Sequence, residues 1–187
     1  LIGDKRTQFQ SYFETVGADV SVRFEVNAGL QEWNFNGVNL VFLWSRNPRV
    51  PYSDDERKRL NAYMENGGHV MVFSNDPRGA QAGLLRQFGL DVENTPLSSS
   101  MKAICPGLEG SFESWQARGR GIPLPGDSQW LPMVVTGDGK AGIVMAVRSV
   151  GRGKLIFVAS GNLTSYAGNG ANRGWWSRVL QGCGIAI

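Results

Sequence analysis

Apolar residues recur along this chain at two periods, and the alternation between them outlines its elements. Phe9, Tyr12, Phe13 and Val16 stand at i, i+3, i+4 and i+7, the spacing of one helical face. Thr7 with Gln10 fits a capping box before them, and Gly17 supplies the stop. Val20, Val22, Phe24 and Val26 then alternate with polar residues, which predicts a strand over 19–26 with one face buried. Val38 to Trp44 is nearly all apolar, as in a central parallel strand covered on both sides.

Ser53-Asp54-Asp55-Glu56 is a second capping box, with acidic side chains in the first turn where the helix dipole favours them. Leu60, Tyr63 and Met64 form the stripe of that helix, and Gly67-Gly68 ends it before an apolar strand, His69 to Phe73. Asn75 or Asp76 is expected to cap the next helix with Pro77 near its first position. Ala80, Leu84, Leu85 and Phe88 line it, and Gly89 stops it before Leu90-Asp91-Val92. The helix-Gly-x-Asp-Val passage repeats the one at Gly17-Ala18-Asp19-Val20, which suggests a repeated α/β unit.

Periodicity then collapses between residues 95 and 129, where prolines, glycines and serines predict an irregular insertion with short strands near 112–117. A β meander follows: 131–136, 143–149 and 155–159, joined by turns at Gly137-Asp138-Gly139-Lys140 and Gly151-Arg152-Gly153. A last helix is expected from Asn172, with Trp175, Trp176, Val179 and Leu180 inward. The order argues for a single α/β domain over 1–187: a three-layer sandwich with a mostly parallel, flavodoxin-like sheet and a C-terminal β meander. In that fold a strand precedes the first helix, and Leu1-Ile2 are its last residues. Leu1 is not an initiator Met and no leader pattern follows it, so the chain reads as one domain of a longer protein and the compartment stays unknown.

Composition narrows the chemistry. The chain has 187 residues, 42% of them apolar, and a net charge of +3, enough for a core and too balanced for a disordered polyelectrolyte. Two Cys and one His cannot supply a four-ligand Cys/His zinc site. The longest apolar run, Leu40 to Trp44, is too short to cross a bilayer. Gly151-Arg152-Gly153-Lys154 joins two strands, whereas a phosphate-cradling loop needs a strand before it and a helix after it. Asp54, Asp55 and Glu56 are better explained by a helix N-terminus than by a metal. Arg118-Gly119-Arg120-Gly121 with a pI near 9.1 raises nucleic acid as a partner, but the modest charge and the lack of a basic helix argue against it. Asn162-Leu163-Thr164 fits a glycosylation triplet that matters only in a secreted eukaryotic protein.

Taken together, Ser53-Asp54-Asp55-Glu56 leading to Gly67-Gly68-His69-Val70-Met71-Val72, then Val150-Gly151-Arg152-Gly153-Lys154-Leu155-Ile156-Phe157-Val158, and then a polar loop and an Asn-started helix carry a resemblance. The chain resembles the class I glutamine amidotransferase-like superfamily, in particular its non-catalytic branches such as DUF4350-type and trehalose-utilisation-type domains. In catalytic members a nucleophilic Cys occupies the turn after the strand that here ends at Phe73, with a His and an acid later. That turn reads Ser74-Asn75-Asp76-Pro77, and the one His precedes it. Ser74 has no later His to deprotonate it, and Cys105 and Cys183 have no partner base. The resemblance therefore implies no catalytic residues, no cofactor and no metal.

Ligands of open α/β sheets sit beyond the carboxyl ends of the parallel strands. The candidate rim is Arg46, Asn47, Ser74, Asn75, Asp76 and Asn162, with Trp44 or Tyr166 as a stacking platform. The reading is a non-catalytic binding or assembly module whose partners are other protein domains or subunits, with a small polar or sugar ligand as a further option. The alternative is a hydrolase-like or sugar-processing enzyme working at the rim, with a metal held by Asp76 and backbone oxygens. Trp33, Trp115 and Trp130 are candidates for a partner surface.

Overall fold

A computed structural model describes residues 2–3, 23–24, 29–43, 50–96, 101–104, 110–112, 118–126, 129–136, 142–159 and 181. The first predicted helix, the last one, most of the strand expected over 19–26 and the C-terminal tail lie outside these residues.

Two short strands open the described chain, β1 (Ile2–Gly3) and β2 (Arg23–Phe24). A single 3-10 turn at Leu30–Glu32 precedes β3 (Leu40–Leu43). Helix α1 (Asp54–Glu65) begins as its capping box requires. Ser53 Oγ accepts the Glu56 N–H, and Glu56 Oε2 accepts the Ser53 N–H at 2.8 Å. Leu60 and Met64 are buried and Tyr63 is half-buried, as the stripe predicts. The helix ends at Glu65 with Asn66 as its C-cap, and Gly67 follows at a φ of 101° that is open to glycine. Strand β4 (His69–Phe73) follows, then α2 (Ala80–Gln87). The α2 start differs from expectation: Gly79 is the N-cap, because Asp76 Oδ1 and carbonyl oxygen hold a turn through Arg78 N–H and Gly79 N–H.

Beyond α2 lie β5 (Leu90–Pro96), β6 (Met101–Ala103), β7 (Gly110–Phe112) and β8 (Arg118–Pro123). The meander is β9 (Leu131–Thr136), β10 (Ile143–Val150) and β11 (Gly153–Val158). Among the described residues the strands form one sheet in the order β2-β1-β3-β4-β11-β10-β9-β6-β7, with β5 joined through β8 to β10. The segment β2-β1-β3-β4-β11 is parallel throughout, the 2-1-3-4-5 order of flavodoxin-like sheets.

The sheet as a whole is mixed, which corrects the expectation of a mostly parallel one. From β11 outward each pair is antiparallel, as are β5 with β8 and β8 with β10. A parallel pair needs a long crossover, whereas two turn residues suffice to reverse a strand. Gly151, at φ 57°, with Arg152 makes that reversal between β10 and β11. The strand after α2 in the suggested α/β repeat, β5, runs antiparallel to β8, from Leu90 opposite Pro123 to Glu93 opposite Arg120; the first copy of the repeat lies outside the described residues.

The core lies on β3, β4 and β11, where Val41, Val70, Val72, Leu155, Ile156 and Phe157 are fully buried. Helix α1 packs on β4, β11 and the 3-10 turn, and α2 packs on β4 and β5. Trp33 and Trp130 also belong to the core, at 1% and 4% exposure, so they form no partner surface. The Trp130 indole N–H donates to the Phe88 carbonyl at 2.7 Å. Trp115 lies outside the described residues. Among the described residues the exposed large apolar side chains are Val50, Ile104 and Leu131, the last at 63%.

Candidate functional site

The carboxyl end of β4 is built by its own hydrogen bonds. Ser74 N–H donates to Val158 O at 3.0 Å, which ties the first residue after β4 to the end of β11. The Ser74 side chain is buried, and its Oγ donates to Asp76 O at 3.4 Å. Asn75 and Asp76 are exposed. One Asp76 carboxylate oxygen accepts Arg78 N–H at 3.0 Å, which makes an Asx turn. Among the described residues no cluster of three or more His, Cys, Asp or Glu is placed to hold a metal ion.

Strand β8 lies over this turn. Gly119 has φ 92°, and a Cβ there would sit 3.0 Å from Asn75 Cα, 3.1 Å from Glu93 O and 3.2 Å from Ala159 O. The β5–β8 ribbon thus crosses the ends of β4 and β11. Arg120 beside it pairs with Glu93 at 2.8 Å, so this member of the Arg-Gly run is committed within the protein.

His69 occupies the other end of β4. Five residues of extended chain separate it from Ser74, about 16 Å. It sits opposite Lys154 in the β4–β11 ladder. Burial, and then the nearby Lys154 charge, lower the imidazole pKa below its ordinary 6.5. Its Nδ1 is buried and makes no hydrogen bond to a described residue.

A cleft of about 670 Å³ opens at that same amino end, between the segment 34–39 and the C-terminal half of α1. Two bonds brace its walls. Tyr63 Oη donates to Val38 O at 3.0 Å, and the Arg59 guanidinium donates to Trp33 O. The Phe35 ring stands 4.8 Å from that of Tyr63 and carries the Arg59 guanidinium 5.3 Å above its centroid. Burial raises the Tyr63 hydroxyl pKa far above its ordinary value, so it stays a neutral donor.

The profile of a family described as a domain of unknown function, DUF4350, matches residues 12–168. The chain belongs to the DUF4350 family. No curated protein matches it in sequence. Its fold is similar to the mmIFT52 N-terminal domain, with a TM-score of 0.72, 14% identity, and coverage of 99% of this chain and 97% of that one. It is similar to a ThuA-like protein from Bacteroides uniformis ATCC 8492, with a TM-score of 0.63, 12% identity, and coverage of 97% and 89%. A β-galactosidase from Rahnella sp. R3 contains the same fold at a TM-score of 0.56 and 15% identity, where 96% of this chain spans 27% of the enzyme. At such identities the likeness is one of fold.

In this DUF4350 chain the predicted rim divides in two. Ser74, Asn75 and Asp76 share the turn after β4, at the carboxyl end of the parallel strands. Arg46, Asn47 and Asn162, together with Trp44, Tyr166, Cys105 and Cys183, lie outside the described residues. Sequence reading missed the cleft at the opposite end. Its one available signal was the density of Asn between positions 34 and 39, which reads as an ordinary polar connection.

Proposed function

We propose that this chain is a non-catalytic binding or assembly module of amidotransferase-like, three-layer fold, working as one domain within a larger protein or complex. The observation that carries this reading is the position of His69. It is the one His of the sequence, and it stands at the amino end of β4 while Ser74 stands at the carboxyl end. General-base activation of a nucleophile needs contact within hydrogen-bond reach, about 3 Å. The roofing of Asn75 by Gly119 supports the same reading, because it crowds the turn in which catalytic relatives would keep a nucleophile. Ile104, just after β6, and Leu131, the first residue of β9, are exposed, and Ile104 N–H donates at 2.9 Å to the carbonyl of Met133, two residues beyond Leu131; they offer apolar area for another protein domain. That the similar mmIFT52 unit is itself an N-terminal domain fits a module of a longer chain.

The runner-up, a sugar-processing enzyme working at the rim, draws on the presence of this fold within a β-galactosidase chain. Turnover assays separate the two. The purified chain is expected to hydrolyse neither glutamine nor a panel of nitrophenyl glycosides above the buffer rate. Turnover lost in both Ser74→Ala and Asp76→Ala would overturn the module reading. Partner capture from the native complex is expected to survive Asp76→Ala and Arg46→Ala and to be lost in Ile104→Asp/Leu131→Asp.

A further inference from the structure

We propose that the cleft at the amino ends of β3 and β4 binds a small polar ligand bearing an anionic oxygen group, a carboxylate or a phosphate, with Arg59 as its anion-binding residue. The inference is independent of the rim, which lies at the other end of the strands. The volume, about 670 Å³, is that of a small-molecule site. Among the described residues that line it none is Asp or Glu, whereas Asn34, Asn36, Asn39 and Asn66 bring side-chain amides from both walls.

Arg59 differs from the arginines that are held by ion pairs. Arg57, Arg86 and Arg120 each face a carboxylate, Asp54, Asp91 and Glu93 respectively. Among the described residues Arg59 has no such partner, and the interactions it makes are with the Trp33 carbonyl and the Phe35 ring. Those two contacts hold the guanidinium in place while leaving most of its five N–H donors unused. A fixed fork with spare donors is suited to a planar carboxylate or a phosphate and loses little further entropy when one binds. The α1 carbonyls that border the cleft do not oppose this. Ala62 O, Met64 O and Tyr63 O accept from Asn66, Gly67 and Gly68 N–H, and Asn66 O accepts from Arg152.

The amides supply the rest of the recognition. Asn34 Oδ1 is engaged by Asn36 N–H at 3.0 Å, which sets the loop as an Asx turn. The Asn36 and Asn39 amides remain exposed in the cleft with both donor and acceptor capacity. Such groups match the hydroxyls or amides of a ligand's uncharged body. The Phe35 and Tyr63 rings, tilted 36° to one another, form the wall behind Arg59.

Titration of the labelled chain with sodium phosphate and with sodium glucuronate, against glucose at matched ionic strength, tests this by amide chemical shifts. At least one of the two anions is expected to shift amides within 34–39 and 59–68, and whichever does identifies phosphate or carboxylate as the group. Glucose is expected to bind at least about tenfold more weakly, and Arg59→Gln to weaken anion binding by about tenfold. Asn36→Asp, an exposed change that removes no bond, is expected to weaken binding about threefold through like-charge repulsion at an unchanged melting temperature. No shift in these segments with either anion, equal binding of glucose, or anion affinities unaltered in both variants would overturn the proposal.

Discussion

Glu56 Oε1 accepts the backbone N–H of Leu30 at 2.9 Å across 26 residues of chain, while its other oxygen closes the capping box on Ser53. One carboxylate, 2% exposed, thus starts α1 and anchors the 3-10 turn that packs on it. Glu56→Ala leaves two N–H donors without an acceptor and is expected to cost about 3 kcal/mol, since hydrogen bonds to a charged group contribute roughly 1.5–3 kcal/mol each. Glu56→Gln keeps one acceptor oxygen and is expected to lose about half of that. Urea denaturation of the three proteins checks the order, and equal midpoints would show that the Leu30 bond contributes nothing.

Three glycines are expected to respond to alanine in three ways. At Gly153 an added Cβ falls on the Gly68 and Met64 carbonyl oxygens, where helix α1 ends against the β10–β11 turn. That backbone cannot yield, and Gly153→Ala is expected to cost about 3 kcal/mol through overpacking. Gly37, at φ 70°, has open space around it, so Gly37→Ala carries the left-handed penalty alone, about 1 kcal/mol. Gly83 lies inside α2 with nothing within 4 Å of its Cβ position. Gly83→Ala is expected to stabilise by about 0.5–1 kcal/mol through helix propensity. Thermal unfolding of the set reads the signs directly.

What was legible in the sequence follows from which residues advertise their geometry. The Ser53–Glu56 box placed the start of α1 to the residue and the Leu60/Met64 stripe placed its buried face, because both signals are local. The parallel strands β3 and β4 announced themselves by apolar runs that only burial on two faces requires. Strand β8 did not, because its glycines weaken a strand signal and are there for reasons distant in sequence. Gly121 faces the Phe157 ring and Leu90, with a Cβ 2.7 Å from the ring, and Gly119 faces Asn75. The stretch from 95 to 129 therefore read as an irregular insertion, whereas the β9–β11 meander after it was legible from its turns. At the rim, Ser74 through Asp76 could be placed by topology alone, whereas the cleft depends on Arg59 and Asn36 meeting across 23 positions of chain, which no local pattern encodes.

His69 makes stability depend on pH. Burial and the Lys154 charge depress its folded-state pKa below the ordinary 6.5, so the fold favours the neutral imidazole. Its contribution is complete above the unfolded value of about 6.5 and is lost as pH falls through the lower folded value. The melting temperature is expected to drop between pH 7 and pH 5, and His69→Gln is expected to flatten that part of the profile. A wild-type slope retained in the variant would assign the dependence to other groups.

The contact between Gly119 and Asn75 sets how firmly the β5–β8 ribbon sits on the turn after β4. All three atoms crowding a Cβ at position 119 are backbone, at 3.0–3.2 Å, and φ is 92°. Gly119→Ala therefore meets both a steric and a conformational penalty, together about 2–3 kcal/mol, and is expected to lift β8 off the turn. The nearby Arg120–Glu93 pair is partly solvated, with side chains 30% and 45% exposed, so Arg120→Ala is expected to cost at most about 0.5–1 kcal/mol. Hydrogen exchange separates the two effects. Protection of the Ser74 N–H, which donates to Val158 O under the ribbon, should fall at least tenfold in Gly119→Ala, the equivalent of about 1.4 kcal/mol. It should be nearly unchanged in Arg120→Ala. Equal loss in both variants would mean that charge pairing, and not the close approach of Gly119, holds the ribbon in place.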